Sequence, residues 1–142
     1  MNAEDVRRLG VRLPEAVEGG DPERVGLSVR GKGFAWTFTE RPEPRAPKEP
    51  VIGVLAIRCT AADKESLLAA DPDKFFTTDH YRGFPAVLVR LDRVDEAELW
   101  ELLVEGWRCQ VPKRMAKEFD AKEFGAKEFD ARESDAAAEI ID

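Results

Sequence analysis

The chain has 142 residues and a mass of 15.9 kDa, which leaves room for one domain with a real core and too little for two of ordinary size. Hydrophobic residues make up 43%, charged residues 36%, and the formal net charge is -7, so a folded body with a heavily ionised surface is expected and a broadly basic nucleic-acid binder is not. No apolar run reaches the roughly 20 residues that a bilayer requires, and the opening MNAEDVRRLG lacks the apolar stretch of a secretory signal, so no membrane partner is expected and the cytoplasm is the default location.

The acidity is concentrated at the C-terminal end. Residues 1–114 hold 18 Lys and Arg against 20 Asp and Glu, whereas residues 115–142 hold 4 against 9. A near-neutral body can still carry a local basic patch.

Asn2 with Asp5 three residues later forms a capping pattern, and Val6 and Leu9 follow at helical spacing, so residues 3–10 are predicted to form a short amphipathic helix. Gly10 and Pro14 end it, and Glu18-Gly19-Gly20-Asp21-Pro22 reads as a loop. Next comes RVGLSVRGKGFAWTF, Arg24 to Phe38, in which two runs of alternating apolar residues flank a tip of Gly and Lys. This is a β-hairpin signature, with Val25, Leu27 and Val29 on one face, Phe34, Trp36 and Phe38 on one face of the next strand, and positive φ expected at Gly31-Lys32-Gly33.

Residues 40–50, ERPEPRAPKEP, hold four prolines and no large apolar residue, which predicts an exposed, stiff connection outside any sheet. Val51 to Ile57 is a nearly continuous apolar run and reads as a central strand covered on both faces. Thr60 with Asp63 caps a second helix, which carries Leu67 and Leu68 and which Pro72 stops. Phe75 and Phe76 are expected to anchor the following loop, and Ala86 to Leu91 forms another strand. Asp95 caps a third helix whose Leu99, Leu102, Leu103 and Trp107 make an apolar stripe that needs a sheet beneath it.

From Ala116 to Asp135 a five-residue unit repeats, AKEFD-AKEFG-AKEFD-ARESD. Five residues advance a helix by about 140°, so Phe119, Phe124 and Phe129 point in three directions, while Glu118 and Lys122 take the favourable order for an ion pair. The expectation is a body over residues 1–114 and an acidic tail over 115–142 that is a solvated helix or disordered.

Chemistry-bearing patterns are sparse. Cys59 and Cys109 lie 50 positions apart with no CxxC spacing, and they read as free thiols. The one histidine, His80, has no nucleophile motif tied to it, and Asp63, Asp71, Asp73 and Asp79 sit where helix ends and turns account for them. Arg30-Gly31-Lys32-Gly33 is not a phosphate-binding P-loop, since GxxxxGK[ST] is absent. No catalytic residue, metal site or cofactor is therefore assigned. One positive pattern remains, six cations close in sequence: Arg24, Arg30, Lys32, Arg41, Arg45 and Lys48, partly offset by Glu23, Glu40, Glu43 and Glu49.

The order of Leu13-Pro14-Glu15, the hairpin Val29-Arg30-Gly31-Lys32-Gly33-Phe34-Ala35, the Leu67-Leu68 helix before Phe75-Phe76, Tyr81, and Asp95-Glu98-Leu99 leading to Trp107 resembles the MmcQ/YjbR family over residues 3–114. The resemblance implies an α+β fold of two layers, an antiparallel sheet of about four to five strands packed by helices, similar to type III secretion chaperones. It also implies a double-wing DNA-binding module. On that basis Arg24, Arg30, Lys32, Arg41 and Arg45 are the candidate DNA-contacting residues of a non-enzymatic, monomeric protein. The alternative is a chaperone-like module that binds another protein through the sheet or the Phe-bearing tail.

Overall fold

Six antiparallel strands form one sheet in the order β1-β2-β3-β4-β6-β5, from β1 (Ala16–Glu18), β2 (Gly26–Val29), β3 (Lys32–Glu40), β4 (Glu49–Arg58), β5 (Phe75–Phe76) and β6 (Ala86–Arg90). Three α-helices accompany them, α1 (Ala3–Gly10), α2 (Ala61–Ala70) and α3 (Glu96–Arg108), with a 3₁₀ turn at Leu91–Arg93. This computed structural model describes residues 1–123 and divides the chain into two units, Met1–Gln110 and Val111–Asp142. The division falls after Gln110 and not after Arg114. In the second unit residues 113–123 are helical, with Arg114 Nε 3.7 Å from Glu118 Oε1. The readings of Phe124 and Phe129 lie outside the described residues.

The helices start where their caps predict. Asn2 Oδ1 accepts from the Asp5 amide at 3.0 Å while Asp5 Oδ2 accepts from the Asn2 amide at 2.9 Å, Thr60 Oγ1 accepts from the Asp63 amide at 3.1 Å, and Asp95 Oδ1 accepts from the Glu98 amide at 2.8 Å.

The sheet corrects four expectations. First, the strand count is six, because β1 and β5 are edge strands of three and two residues, too short to show alternation. Phe75 and Phe76 are thus not loop anchors but pair with Val89 and Leu88. Second, the hairpin turns on two residues, Arg30 (φ 51°) and Gly31 (φ 78°), with Val29 opposite Lys32, so Lys32 and Gly33 already belong to β3. The pairing also slips between Leu27 and Ser28, putting Phe34 out of step with Trp36 and Phe38.

Third, the proline-rich segment does enter the sheet at its ends, with Glu40 opposite Glu49 and Thr39 opposite Pro50. Pro50 is tolerated because the pairing of β4 with β3 breaks there: the next pair is Thr37 with Leu55, so residues 51–54 have no partner on β3. Fourth, the bulge exposes part of the apolar run read as a central strand. Gly53 takes φ 81° and Ile52 is 98% exposed, leaving Leu55, Ala56 and Ile57 as the covered portion.

Strand alternation divides the core in two. One face carries Leu27, Leu55, Ile57, Phe75, Val87 and Val89, and it packs against α1 (Val6, Leu9) and α3 (Leu99, Leu103, Val104, Trp107). The opposite face carries Phe38, Ala56 and Leu88, bordered by Trp36, Val54, Phe76 and Tyr81. Here the Trp36 indole N–H donates to the Tyr81 hydroxyl at 3.1 Å, and the Arg90 guanidinium lies 4.1 Å from the centre of the Phe76 ring.

Candidate functional site

The five candidate DNA-contacting residues do not form one surface. Arg30 is held by Glu15, with Nε 3.2 Å from Oε1 and Nη2 3.0 Å from Oε2. These hydrogen bonds favour both charged forms, lowering the Glu15 carboxyl and raising the Arg30 guanidinium from their ordinary pKa values. Glu15 and Arg30 are also the two non-glycine residues with positive φ among the described residues, 59° and 51°. Lys32 is exposed beside this turn.

Arg24 lies at the far end of β2. Its Nη2 donates to the Lys48 carbonyl at 3.3 Å and its Nη1 lies 3.8 Å from Asp21 Oδ2. It thereby touches the 41–48 loop, which carries Arg45 and in which Arg41 Nη1 donates to the Ala46 carbonyl at 2.7 Å. The nine-residue strand β3 separates the two groups, a distance of roughly 26 Å at about 3.3 Å per residue. So Arg30 and Lys32 make up one group, and Arg24, Arg41 and Arg45 the other, interleaved with Glu40, Glu43 and Glu49.

The helix face of the sheet holds a feature that the sequence did not flag. Gly106 brings α3 hard against β3 and β4: a Cβ there would stand 3.0 Å from Ile57 Cγ2, 3.0 Å from the Phe34 carbonyl oxygen and 3.1 Å from that of Arg58. With α3 seated over the middle of the sheet, the β6-β5 side of the same face is left to α2. That helix does not close over it. Its ten residues bury no apolar side chain, and Leu67 and Leu68 stay half-exposed.

What holds α2 is Lys64, only 8% exposed, whose Nζ donates to the carbonyls of Tyr81 at 2.7 Å and Phe84 at 2.8 Å. Burial lowers the pKa of this lysine. Between α2 and α3 a groove of about 430 Å³ remains, floored by Ile57, Phe75 and Val87 with Leu67 and Leu102 on its walls. Cys59 also lines it; burial and the nearby Cys109 push the Cys59 thiol up to about 11.

A second cleft, of about 480 Å³, lies between the β3-β4 ribbon and the 78–81 turn and gathers Glu40, Arg41, Lys48, Asp79, His80 and Tyr81. The Tyr81 hydroxyl already accepts from Trp36, and His80 meets the Tyr81 ring edge-on with centroids 5.9 Å apart. Neither contact forms the hydrogen-bonded pair of nucleophile and base that covalent catalysis needs. Among the described residues no group of His, Cys, Asp and Glu is placed to hold a metal ion, and no helix is long and apolar enough to cross a membrane.

Three comparisons bear on this architecture. A protein of Pseudomonas syringae, known from its crystal structure, superposes with a TM-score of 0.56 at 11% identity, covering 78% of this chain and 100% of that one, which shows a shared fold. Uncharacterized proteins of Mycobacterium bovis and of Mycobacterium tuberculosis are 35% identical over 124 residues, covering 82% of this chain and 93% of theirs. Residues 11–109, from the end of α1 to the cap of α3, match the family model described as YjbR. Fold, relatives and matched span agree, and the chain belongs to the YjbR family.

Proposed function

We propose that the Met1–Gln110 unit is a recognition module without bond-making chemistry that binds another polypeptide in the groove between α2 and α3, acting as a cytoplasmic monomer. One observation carries this reading: α2 stands beside an apolar floor, buries none of its own apolar side chains and is held by a lysine. A helix ordinarily earns its place by covering an apolar stripe, and one that leaves the stripe half-open borders a site that a partner can fill. Ser66, exposed on the groove rim, is the place to test it. A photo-crosslinking benzoylphenylalanine at Ser66 is expected to form polypeptide adducts in cells that survive nuclease, and the same group at exposed Arg93 is not. No adducts at Ser66, or adducts that vanish with nuclease, overturn the reading.

A second reading, DNA binding by the double wing, draws support from the meeting of Arg24 with the loop that carries Arg41, Arg45 and Lys48. It rests on phosphate contacts, with Arg30 and Lys32 acting as a separate point of attachment. Phosphate-dominated affinity falls steeply with salt. Duplex binding at 50 mM salt that weakens at least tenfold on Arg24→Ala with Arg45→Ala supports this reading; duplex affinity that is absent, or indifferent to those changes, removes it.

A further inference from the structure

We infer that the occupant of the α2–α3 groove is a short amphipathic helix carrying lysine or arginine on both flanks of its apolar stripe; this rests on the polypeptide reading above and names its partner's chemistry. The groove-facing stripe of α3 reads Glu98, Glu101, Leu102, Glu105, at helical spacing i, i+3, i+4, i+7. Three of these four are carboxylates, on the wall of a groove whose floor is apolar. The facing wall of α2 adds Asp63 and Leu67.

The partners of these carboxylates differ. Glu98 Oε2 receives Lys74 Nζ at 2.7 Å, and Glu105 Oε1 lies 3.2 Å from Arg108 Nε. Asp63 and Glu101 have no ion pair among the described residues, and they stand on opposite walls. The cation that also lines the groove, Arg58, is turned onto the Phe84 ring, with its guanidinium carbon 5.2 Å from the ring centre. Each wall therefore offers a free carboxylate above an apolar floor. An anionic helix would place like charges against both walls, and a purely apolar one would leave both carboxylates against hydrocarbon.

The size fits a short helix. Glu98 to Glu105 spans about 10 Å along α3 at about 1.5 Å per residue, the length of two turns. Two apolar side chains one turn apart could reach the floor, in the helix-in-groove mode of peptide recognition. The chain's own sequence after Glu123 is a poor match on charge, with Lys127 and Arg132 against six Asp and Glu. A separate polypeptide is the better complement.

The test uses the full chain and two fluorescein-labelled 14-residue peptides with leucines at helical spacing, one with lysines and one with glutamates at the flanking positions, read by anisotropy. The lysine peptide is expected to bind at least tenfold more tightly than the glutamate peptide and to weaken with added salt. Asp63→Lys with Glu101→Lys, both exposed positions, is expected to reverse the preference. That reversal requires the glutamate peptide to gain affinity, so an unfolded variant cannot imitate it. Equal binding of the two peptides, or a preference unchanged by the double reversal, overturns the inference. If neither peptide binds while Ser66 still gives polypeptide adducts, the partner's assigned chemistry is wrong and the polypeptide reading stands; if the adducts are missing too, both fall.

Discussion

Helices α3 and α2 lie beside the same face of one sheet and are attached to it by opposite means. α3 drives Leu99, Leu103, Val104 and Trp107 into the core and touches β3 and β4 through a glycine. α2 contributes one buried residue, a lysine, which hangs from two carbonyls. Apolar burial is worth roughly 25 cal/mol per Å² whatever the exact contact geometry, whereas a buried polar tether depends on its particular partners. The difference separates a foundation from a wall. α3 fixes the fold, and α2, needed for little of the core, is free to define a site.

The largest effect should come from the foundation. Trp107 is fully buried and its indole N–H donates to the half-buried Pro14 carbonyl at 2.9 Å, so Trp107→Ala removes a large ring and takes away that carbonyl's donor. A loss of about 3–5 kcal/mol is expected, read as a drop in urea midpoint with loss of cooperativity close behind. A loss below about 1 kcal/mol would mean that α3 is no more essential than α2, and the contrast would collapse.

Next in size is a pH effect at the junction of the two helices. Cys59 ionises near 11 in the folded chain against 9.0 for an ordinary thiol, so between those values the unfolded chain releases a proton that the folded chain keeps. Stability from this group is therefore constant below pH 9 and declines as pH rises toward 11, by at most about 2–3 kcal/mol at about 1.4 kcal/mol per unit. Lys64 acts with the opposite sign: its lowered pKa means that the unfolded chain holds more protons just below 10.5, so its penalty is relieved as pH rises. Comparing the unfolding free energy of the wild-type chain and Cys59→Ala between pH 8 and 10.5 isolates the thiol. If the two chains lose stability in parallel, the groove wall around Cys59 is wet.

How much of this was legible in the residues follows from the same contrast. Caps and apolar stripes are local signals, so Asn2, Thr60 and Asp95 predicted the helix starts, and the spacing of Leu99, Leu103 and Trp107 predicted a helix that needs a sheet. Register breaks are not local. Nothing in Val51 to Ile57 tells that residues 51–54 lose their partners on β3, because the slip is defined by which residues of β3 lie opposite. The grouping of the candidate cations was not legible for a related reason. Arg30 and Lys32 seemed to join Arg41 and Arg45 through closeness in sequence, yet a hairpin sends neighbours in sequence to opposite ends of a sheet, and Glu15, the partner of Arg30, lies 15 residues away, before the loop that leads into the hairpin. Lys64 gave no signal, since a lysine on a short helix is normally exposed; the scarcity of large apolar side chains in α2, where Leu67 and Leu68 stand among four alanines, was the available hint.

A smaller effect tests the tether. Lys64→Met keeps the length of the side chain and removes both donations to Tyr81 and Phe84. An expected cost of about 1–3 kcal/mol follows from two lost hydrogen bonds to a charged donor, with hydrogen exchange accelerated in α2 and the 78–85 segment while α3 amides stay protected. Global loss of protection would show that α2 belongs to the same cooperative unit as α3. Gly106→Ala probes the other side of the contrast with a single methyl. The gain in helix propensity, about 1 kcal/mol, opposes a clash with two backbone carbonyls at 3.0 and 3.1 Å that cannot rotate away, and a net loss of about 1–2 kcal/mol is expected by urea unfolding.

The smallest effect concerns a polar tether that is not buried. Arg30 and Glu15 form a two-point ion pair like those found in cores, but both side chains are about half exposed, at 50% and 53%, where water screens the attraction and ordering two long side chains offsets the gain. Arg30 also occupies a left-handed conformation that glycine adopts freely, so Arg30→Gly removes the pair and relieves the backbone at the same position. The two changes oppose each other, and the melting temperature is expected to stay within about 2 °C of wild type. If it falls well beyond that, the pair holds β1 to the turn as firmly as Lys64 holds α2. Burial would then not be what distinguishes a tether that counts from one that does not.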